Sequence, residues 1–141
     1  MSISYCIHPR IPLLHTTFSG VVTDKDLKSH RDQLRADPWF EPEMNELIDL
    51  RGVTKALVSY DAIVSLAHTS IHPLTAVRAV VAPTQELFGL ARTYQMARAD
   101  SRTDNLAIFR YMPHAVAWLG LSELDAEFAV IELGAGELKY A

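Results

Sequence analysis

The sequence predicts a single α/β domain with a mixed, mostly parallel central sheet of about five strands and helices packed on it. Apolar runs typical of strands and amphipathic runs typical of helices follow one another in the order β-β-α-β-α-β-α-β-α. A helix between two strands implies a crossover connection, and hence parallel neighbours. The 141 residues, 49% hydrophobic and 21% charged, suffice for one core.

The N-terminal segment predicts two antiparallel strands at one edge of this sheet. Apolar residues alternate with small or polar ones over residues 3–8, and the alternation resumes over residues 14–19 after the Pro-containing residues 9–12. Thr23 then supplies an N-cap hydroxyl, and Asp24 and Asp26 supply carboxylates for a first helical turn. A helix is therefore expected from about Asp24, and Asp37 followed by Pro38 should end it.

Three further strand–helix pairs follow. The predicted segments are a strand over 47–53, a helix over 60–71 capped by Ser59, a strand over 77–81, a helix capped by Thr84, a strand over 106–109 and a helix from Pro113 to Gly120. We expect one domain over residues 1–141, with residues 122–141 as a C-terminal extension. That extension is compatible with a further helical turn or with an added strand.

Composition excludes several classes of function. The chain carries 13 Lys and Arg against 17 Asp and Glu, a net charge of −4, which gives no reason to expect a nucleic-acid partner. No apolar run approaches the ~20 residues of a membrane-spanning helix, so no membrane insertion is expected. One Cys and an N-terminus unlike a signal peptide predict a cytoplasmic protein.

Ligands of parallel sheets usually meet the carboxyl ends of the strands, so the residues that follow each predicted strand are the candidate site. These residues are Asp49, Arg51, Ser59, Thr84 and Arg110. Helix N-termini at Ser59, Thr84 and Pro113 would converge on the same edge and offer N–H groups to an anion or a partner. Strand-end charges and ordinary helix caps would account for the same residues.

No motif predicts catalysis, a metal site or a cofactor. The chain has no GxSxG elbow and no P-loop, and Gly134-Ala135-Gly136 lacks room for a following βαβ unit. His68 and His72 are four residues apart, but no further ligand flanks them. An enzyme that uses His68 or His114 with Asp61 is the least favoured hypothesis.

Several short segments together resemble the SpoIIAA-like proteins, a largely bacterial group related to STAS domains and to the Sec14 lipid-binding fold. They are residues 18–24, 37–40, 45–53, 88–92 and 117–119. The resemblance implies one small domain without an established reaction. It also places Ser59 where anti-sigma-factor antagonists carry a phosphorylated Ser, although the flanking Asp, Ser and Gly of that motif are missing here.

Two functions follow from these observations. The first is a non-catalytic, STAS-like regulatory or protein-interaction domain that docks a protein partner or a second copy of itself, as a homodimer, at the edge around Ser59 and Thr84. The alternative is a small-molecule or lipid-binding module of Sec14-like type. The candidate contacts for its apolar ligand are Trp39, Phe40 and Phe88. This alternative predicts a dry cavity and a co-purifying ligand.

Overall fold

The computed structural model describes residues 2–8, 11–73, 75–98 and 105–121, and its elements follow the predicted order. The elements are β1 (Ile3–His8), β2 (Leu13–Thr23), α1 (Asp24–Arg35), β3 (Asn45–Leu57), α2 (Tyr60–His68), β4 (Arg78–Val81), α3 (Gln85–Arg98), β5 (Leu106–Phe109) and α4 (Met112–Trp118). The predicted C-terminal extension over 122–141 lies outside the described residues.

The strands of the described residues form one five-stranded sheet in the order β1-β2-β3-β4-β5. β1 is antiparallel to β2, whereas β3, β4 and β5 each run parallel to the strand before them. The predicted mixed, mostly parallel α/β sheet is thereby confirmed.

The helices are distributed unequally over the two faces of the sheet. Successive side chains of a strand point to opposite faces, and the core clusters follow this alternation. Ile48 of β3 packs with Leu87 of α3, whereas Leu47 packs with Ala115 of α4. Clusters that include α1 and α2 lie on the Ile48 face. Three helices therefore cover one face, and α4 covers the other.

The predicted caps are present. The Thr23 side chain accepts the Asp26 N–H, and the Asp26 carboxylate accepts the Thr23 N–H at 2.8 Å, which forms a capping box at the start of α1. Ser59 accepts the Ala62 N–H at 3.1 Å at the start of α2. Gly120 follows α4 with φ +76°, a left-handed conformation suited to glycine after a helix.

Two strands are longer than the sequence predicts. β2 and β3 remain paired to Thr23 and Leu57, beyond the points where pairing with β1 and β4 ends. Register shifts between β2 and β3 interrupt the alternation of side chains between the two faces of the sheet in this extension. Gly52 lies there, and a Cβ atom at this position would be 3.0 Å from the Phe18 carbonyl oxygen. The two strands therefore approach closely where the predicted strands would have ended.

The second helix is shorter than predicted, because α2 ends at His68 instead of continuing to residue 71. The N–H and hydroxyl of Thr69 both donate to the Ser65 carbonyl, at 2.9 and 2.7 Å. Arg35 of α1 donates to the Thr69 carbonyl at 3.3 Å. The Arg35 contact occupies the carbonyl that a further helical turn would use, and His72 lies in the loop that leads to β4.

Candidate functional site

A cavity of about 160 Å³ lies between the sheet and the helices α1, α2 and α3. Its walls are almost entirely apolar and come from β2, β3, β4 and the three helices. Among the lining residues are Phe18, Val53, Leu66, Val80, Leu87 and Ala91. A mostly apolar concavity with few polar groups is the usual form of a small-molecule site.

Polar side chains gather at one part of the lining, around Glu46 at the start of β3. The Glu46 carboxylate accepts the Thr16 hydroxyl at 2.6 Å and the Arg78 Nε–H at 2.9 Å. Arg78 also donates through Nη1 to the Tyr94 hydroxyl oxygen at 3.0 Å. Tyr94 donates in turn to the Ser70 Oγ at 3.4 Å. We call these five residues, with His30 and His72, the polar cluster; all seven line the cavity.

Glu46 and Arg78 form a buried ion pair, with side chains 3% and 6% exposed. Burial alone would raise the pKa of Glu46, but the charges of His72 and Arg78 and the Thr16 hydrogen bond outweigh it and lower the pKa to about 2. Burial would likewise lower the pKa of Arg78, yet Tyr94 and Glu46 raise it. The carboxylate and the guanidinium therefore both stay ionised, and their charges balance.

Two histidines of the polar cluster have a ring nitrogen without a partner. The Nδ1 atoms of His30 and His72 are buried and make no hydrogen bond within the described part of the chain. His72 Nε2 lies 3.4 Å from the Glu46 Oε1, and the side chain is 6% exposed. Burial, Arg78 and Arg98 lower the pKa of His72 to about 4, against the opposing effect of Glu46. Burial is also the main cause of the lowered pKa of His30.

Asp49 and Arg51, predicted as strand-end site residues, lie on the face of the sheet opposite to the cavity. The Arg51 guanidinium donates to both Asp49 carboxylate oxygens, at 3.0 and 2.9 Å. Asp49 is buried on the side of Leu47 and α4, whereas the Arg51 side chain is half exposed. The two charges neutralise each other at the carboxyl end of the region paired with β4.

Three predicted residues meet at the ends of β4 and β5. Thr84 accepts the Leu87 N–H at 3.2 Å and so caps α3. The Arg110 guanidinium carbon lies 4.6 Å from the centre of the Phe88 ring, within cation–π range. Phe88 is half-buried and packs against the cluster that contains Leu87.

Ser59 does not join this edge, so the predicted convergence of helix N-termini is wrong. β3 continues to Leu57, which at about 3.3 Å per residue carries the chain roughly 25 Å beyond Asp49. There Ser59 donates its N–H and hydroxyl to the Asp24 carboxylate at 2.7 and 2.8 Å. The hydroxyl that would accept a phosphoryl group is thus held against a carboxylate at the junction of α1 and α2.

Trp39 and Phe40 separate in the structure. Trp39 is 54% exposed. Phe40 instead packs against the cluster of Tyr5 and Leu34, and its ring meets the His72 ring edge-on at 5.4 Å. The two side chains therefore do not share one surface, because the turn after α1 directs the Phe40 ring inward beside the polar cluster.

The residues of the enzyme hypothesis are dispersed. His68 and Asp61 lie on α2 seven positions apart, about 10 Å along the axis, and His114 belongs to α4 on the opposite face. Within residues 2–8, 11–73, 75–98 and 105–121, no group of three or more His, Cys, Asp or Glu side chains is placed to hold a metal ion. No helix of the same ranges is long and apolar enough to cross a membrane.

Sequence reasoning missed the polar cluster. Its signal is present at Glu46 and Arg78, which are charged residues at or next to the start of two neighbouring strands. Their partnership depends on register, since Glu46 is directly opposite Arg78 in the parallel pair of β3 and β4. A charge of each sign at the start of neighbouring parallel strands is the pattern that would have pointed here.

The structure is similar to that of an uncharacterised protein of the DUF3478 family from Shewanella loihica, whose crystal structure has a SpoIIAA-like fold. The two chains are 18% identical and superpose with a TM-score of 0.53 over 84% of this chain and 94% of the other. No protein-family model and no curated protein matches the sequence. At this identity the likeness concerns the fold alone, and it confirms that this chain has a SpoIIAA-like fold.

Proposed function

We propose that this protein is a non-catalytic binding module for a small, mostly apolar molecule, which it holds in the cavity between the sheet and α1–α3. The observation that carries the proposal is a cavity with apolar walls and a compact polar cluster at one part of its lining. Apolar walls give a ligand affinity, while a few fixed polar groups give it orientation.

The size of the cavity limits the ligand. Engineered apolar cavities of about 150 Å³ stay dry and bind benzene or xenon, and this cavity is about 160 Å³. The part of the ligand that this half-open cavity encloses is therefore of the order of one aromatic ring with a short substituent. Of the two ligand classes predicted, a small molecule fits this space better than a lipid with long acyl chains.

Toluene binding tests the proposal. Addition of toluene to the ¹⁵N-labelled protein should shift the amide signals of residues around the cavity and raise the melting temperature. Ala91→Phe fills the cavity from α3 and should abolish both effects, whereas Ala117→Phe makes the same change at an exposed position of α4 and should preserve them. The proposal fails if toluene has no effect on the parent protein, or if Ala91→Phe responds as the parent does.

Native mass spectrometry of the protein purified without a tag tests whether a natural ligand is bound. A non-covalent adduct that disappears on denaturation is the expected result. Its mass should correspond to a small molecule, in keeping with the cavity volume. An adduct with the mass of a phospholipid would overturn the size argument.

A docking role remains the second candidate, because Trp39 presents more than half of its surface to solvent. Large exposed aromatic side chains are enriched in protein–protein interfaces. The proposed partner is a second copy of the chain, and the proposed location is the cytoplasm. The regulatory role would be exerted through formation of this dimer. Sedimentation velocity should show a concentration-dependent dimer that Trp39→Ala weakens. A parent protein that sediments as a monomer at every concentration would exclude the homodimer.

A further inference from the structure

We propose that the ligand of the cavity is a neutral ring compound bearing one hydroxyl or N–H group, which donates a hydrogen bond to His72 Nδ1. This inference rests on the proposed function, since it specifies the chemistry of the molecule that the cavity holds. It follows from three features of the polar cluster: the orientation of the His72 ring, the balance of charge around it and the volume beside it.

The first feature is the position of Glu46, which determines where the His72 proton lies. An ionised carboxylate only accepts hydrogen bonds, and His72 Nε2 is the ring nitrogen that lies 3.4 Å from the Glu46 Oε1. Two lone pairs facing each other at that distance would repel. The proton of the neutral ring therefore belongs on Nε2, as in other histidines whose tautomer is fixed by a carboxylate.

The opposite nitrogen is then an acceptor without a donor. His72 Nδ1 is buried, and none of the described residues hydrogen-bonds to it. The side chain is only 6% exposed, and the residue lines the cavity. A buried polar atom without a partner is costly, so a donor brought by the ligand would satisfy an atom that the described residues leave unpaired.

The balance of charge favours a neutral ligand. The carboxylate of Glu46 is already matched by Arg78, which also donates to Tyr94. Two further guanidinium groups lie nearby: that of Arg98 donates to the His72 carbonyl at 3.3 Å, and that of Arg31, which also lines the cavity, is paired with the Asp32 carboxylate at 3.3 Å. An anionic ligand would face Glu46 and the Nδ1 lone pair, and a cationic ligand would face Arg78 and Arg98. Either charge would also lose its hydration among apolar walls.

The volume selects one ring with a short polar substituent, and phenol is the simplest probe of this kind. Three matched probes are compared with phenol. Anisole has a methyl group in place of the hydroxyl hydrogen, toluene has no polar atom, and benzoate is charged. Isothermal titration calorimetry at pH 7.5 should give phenol a dissociation constant about tenfold lower than that of anisole, the ratio expected of one hydrogen bond. Benzoate should not bind detectably.

Two variants assign the preference to His72. Asn places a polar atom near the position of His Nδ1, and Gln places one near the position of His Nε2. His72→Asn should therefore keep the preference for phenol over anisole, whereas His72→Gln should lose it and still bind toluene. A preference kept by both variants, or lost by both, would assign the selectivity to another group and overturn the inference.

A measurement on the parent protein does not depend on the folding of any variant. The ¹⁵N shifts of the His72 ring should show a protonated Nε2 and a bare Nδ1, and phenol but not anisole should move the Nδ1 signal towards that of a hydrogen-bonded acceptor. A ring protonated on Nδ1 overturns the inference. Equal affinity for phenol, anisole and toluene overturns it too, but leaves the proposed function standing; failure of all three to bind refutes the proposed function itself.

Discussion

Acidification from pH 8 to pH 5 should destabilise the fold, because the polar cluster holds a histidine in its neutral form. Burial, assisted by Arg78 and Arg98, lowers the pKa of His72 from 6.5 to about 4, although Glu46 acts in the opposite direction. Between these two values the unfolded chain binds a proton that the folded chain does not, so the free energy of unfolding decreases as the pH falls. His72 alone should lower it by about 2 kcal/mol at pH 5 relative to pH 8.

Three other buried groups affect the acid side of the profile with the same sign. Burial lowers the pKa of both His15 and His30, which therefore add to the loss below pH 6.5. Glu46 has a pKa lowered from 4.5 to about 2, so the stability it contributes is present above pH 4.5 and disappears below that value. The stability lost on protonation of Glu46 therefore falls outside the interval between pH 8 and pH 5. Within that interval the histidines account for the decrease in the free energy of unfolding.

Urea unfolding followed by circular dichroism at a series of pH values measures this dependence. His72→Gln should flatten the profile between pH 8 and pH 5, because the variant has no group to protonate at this position. His68→Gln removes an exposed histidine at the end of α2 and should retain the slope of the parent protein. Equal stability of the parent at pH 5 and pH 8, or a His72→Gln profile as steep as that of the parent, would refute the reasoning.

Four further substitutions probe the fold by thermal and urea unfolding. Glu46→Gln leaves the buried Arg78 guanidinium without a counter-charge and should cost about 3–5 kcal/mol; a cost below ~1 kcal/mol would show that the guanidinium reaches water. Gly52→Ala places a Cβ atom 3.0 Å from a backbone oxygen and should destabilise the fold. Gly89→Ala has open space around the new atom and lies within α3, so it should stabilise the fold by about 0.5–1 kcal/mol. A Gly52→Ala variant more stable than the Gly89→Ala variant would contradict this account of the packing. Thr23→Ala removes the capping box of α1 and should cost about 1 kcal/mol, and an unchanged melting temperature would argue against the cap.

Local signals were sufficient to predict most of the fold. Thr23 and Ser59 act through hydrogen bonds to residues three positions away, so their roles are visible in a short stretch of sequence. β5 was bounded correctly because its apolar run is short and complete. The extension of β3 to Leu57 was missed because it depends on pairing with β2, and Lys55, opposite Val21, interrupts the apolar pattern.

The candidate site was largely hidden from the sequence, because it depends on register and on long-range packing. Glu46 and Arg78 are 32 residues apart and meet only when β3 and β4 align as they do. Tyr94 contacts Arg78 from α3. His72 lies in a loop, whereas the sequence predicted a helix that ends one residue before it. None of the residues predicted at the strand ends lines the cavity, which lies between the sheet and the helices on one face.

The order of strands in the sheet follows their order in the chain. Each strand therefore finds its partner after one hairpin or one helical crossover, and the entropy lost in closing each loop stays small. No strand has to wait for a distant segment to be synthesised before it can pair. We expect the sheet to grow from the N-terminal hairpin strand by strand while the chain leaves the ribosome, and a purified chain to refold at the rates typical of mixed α/β domains.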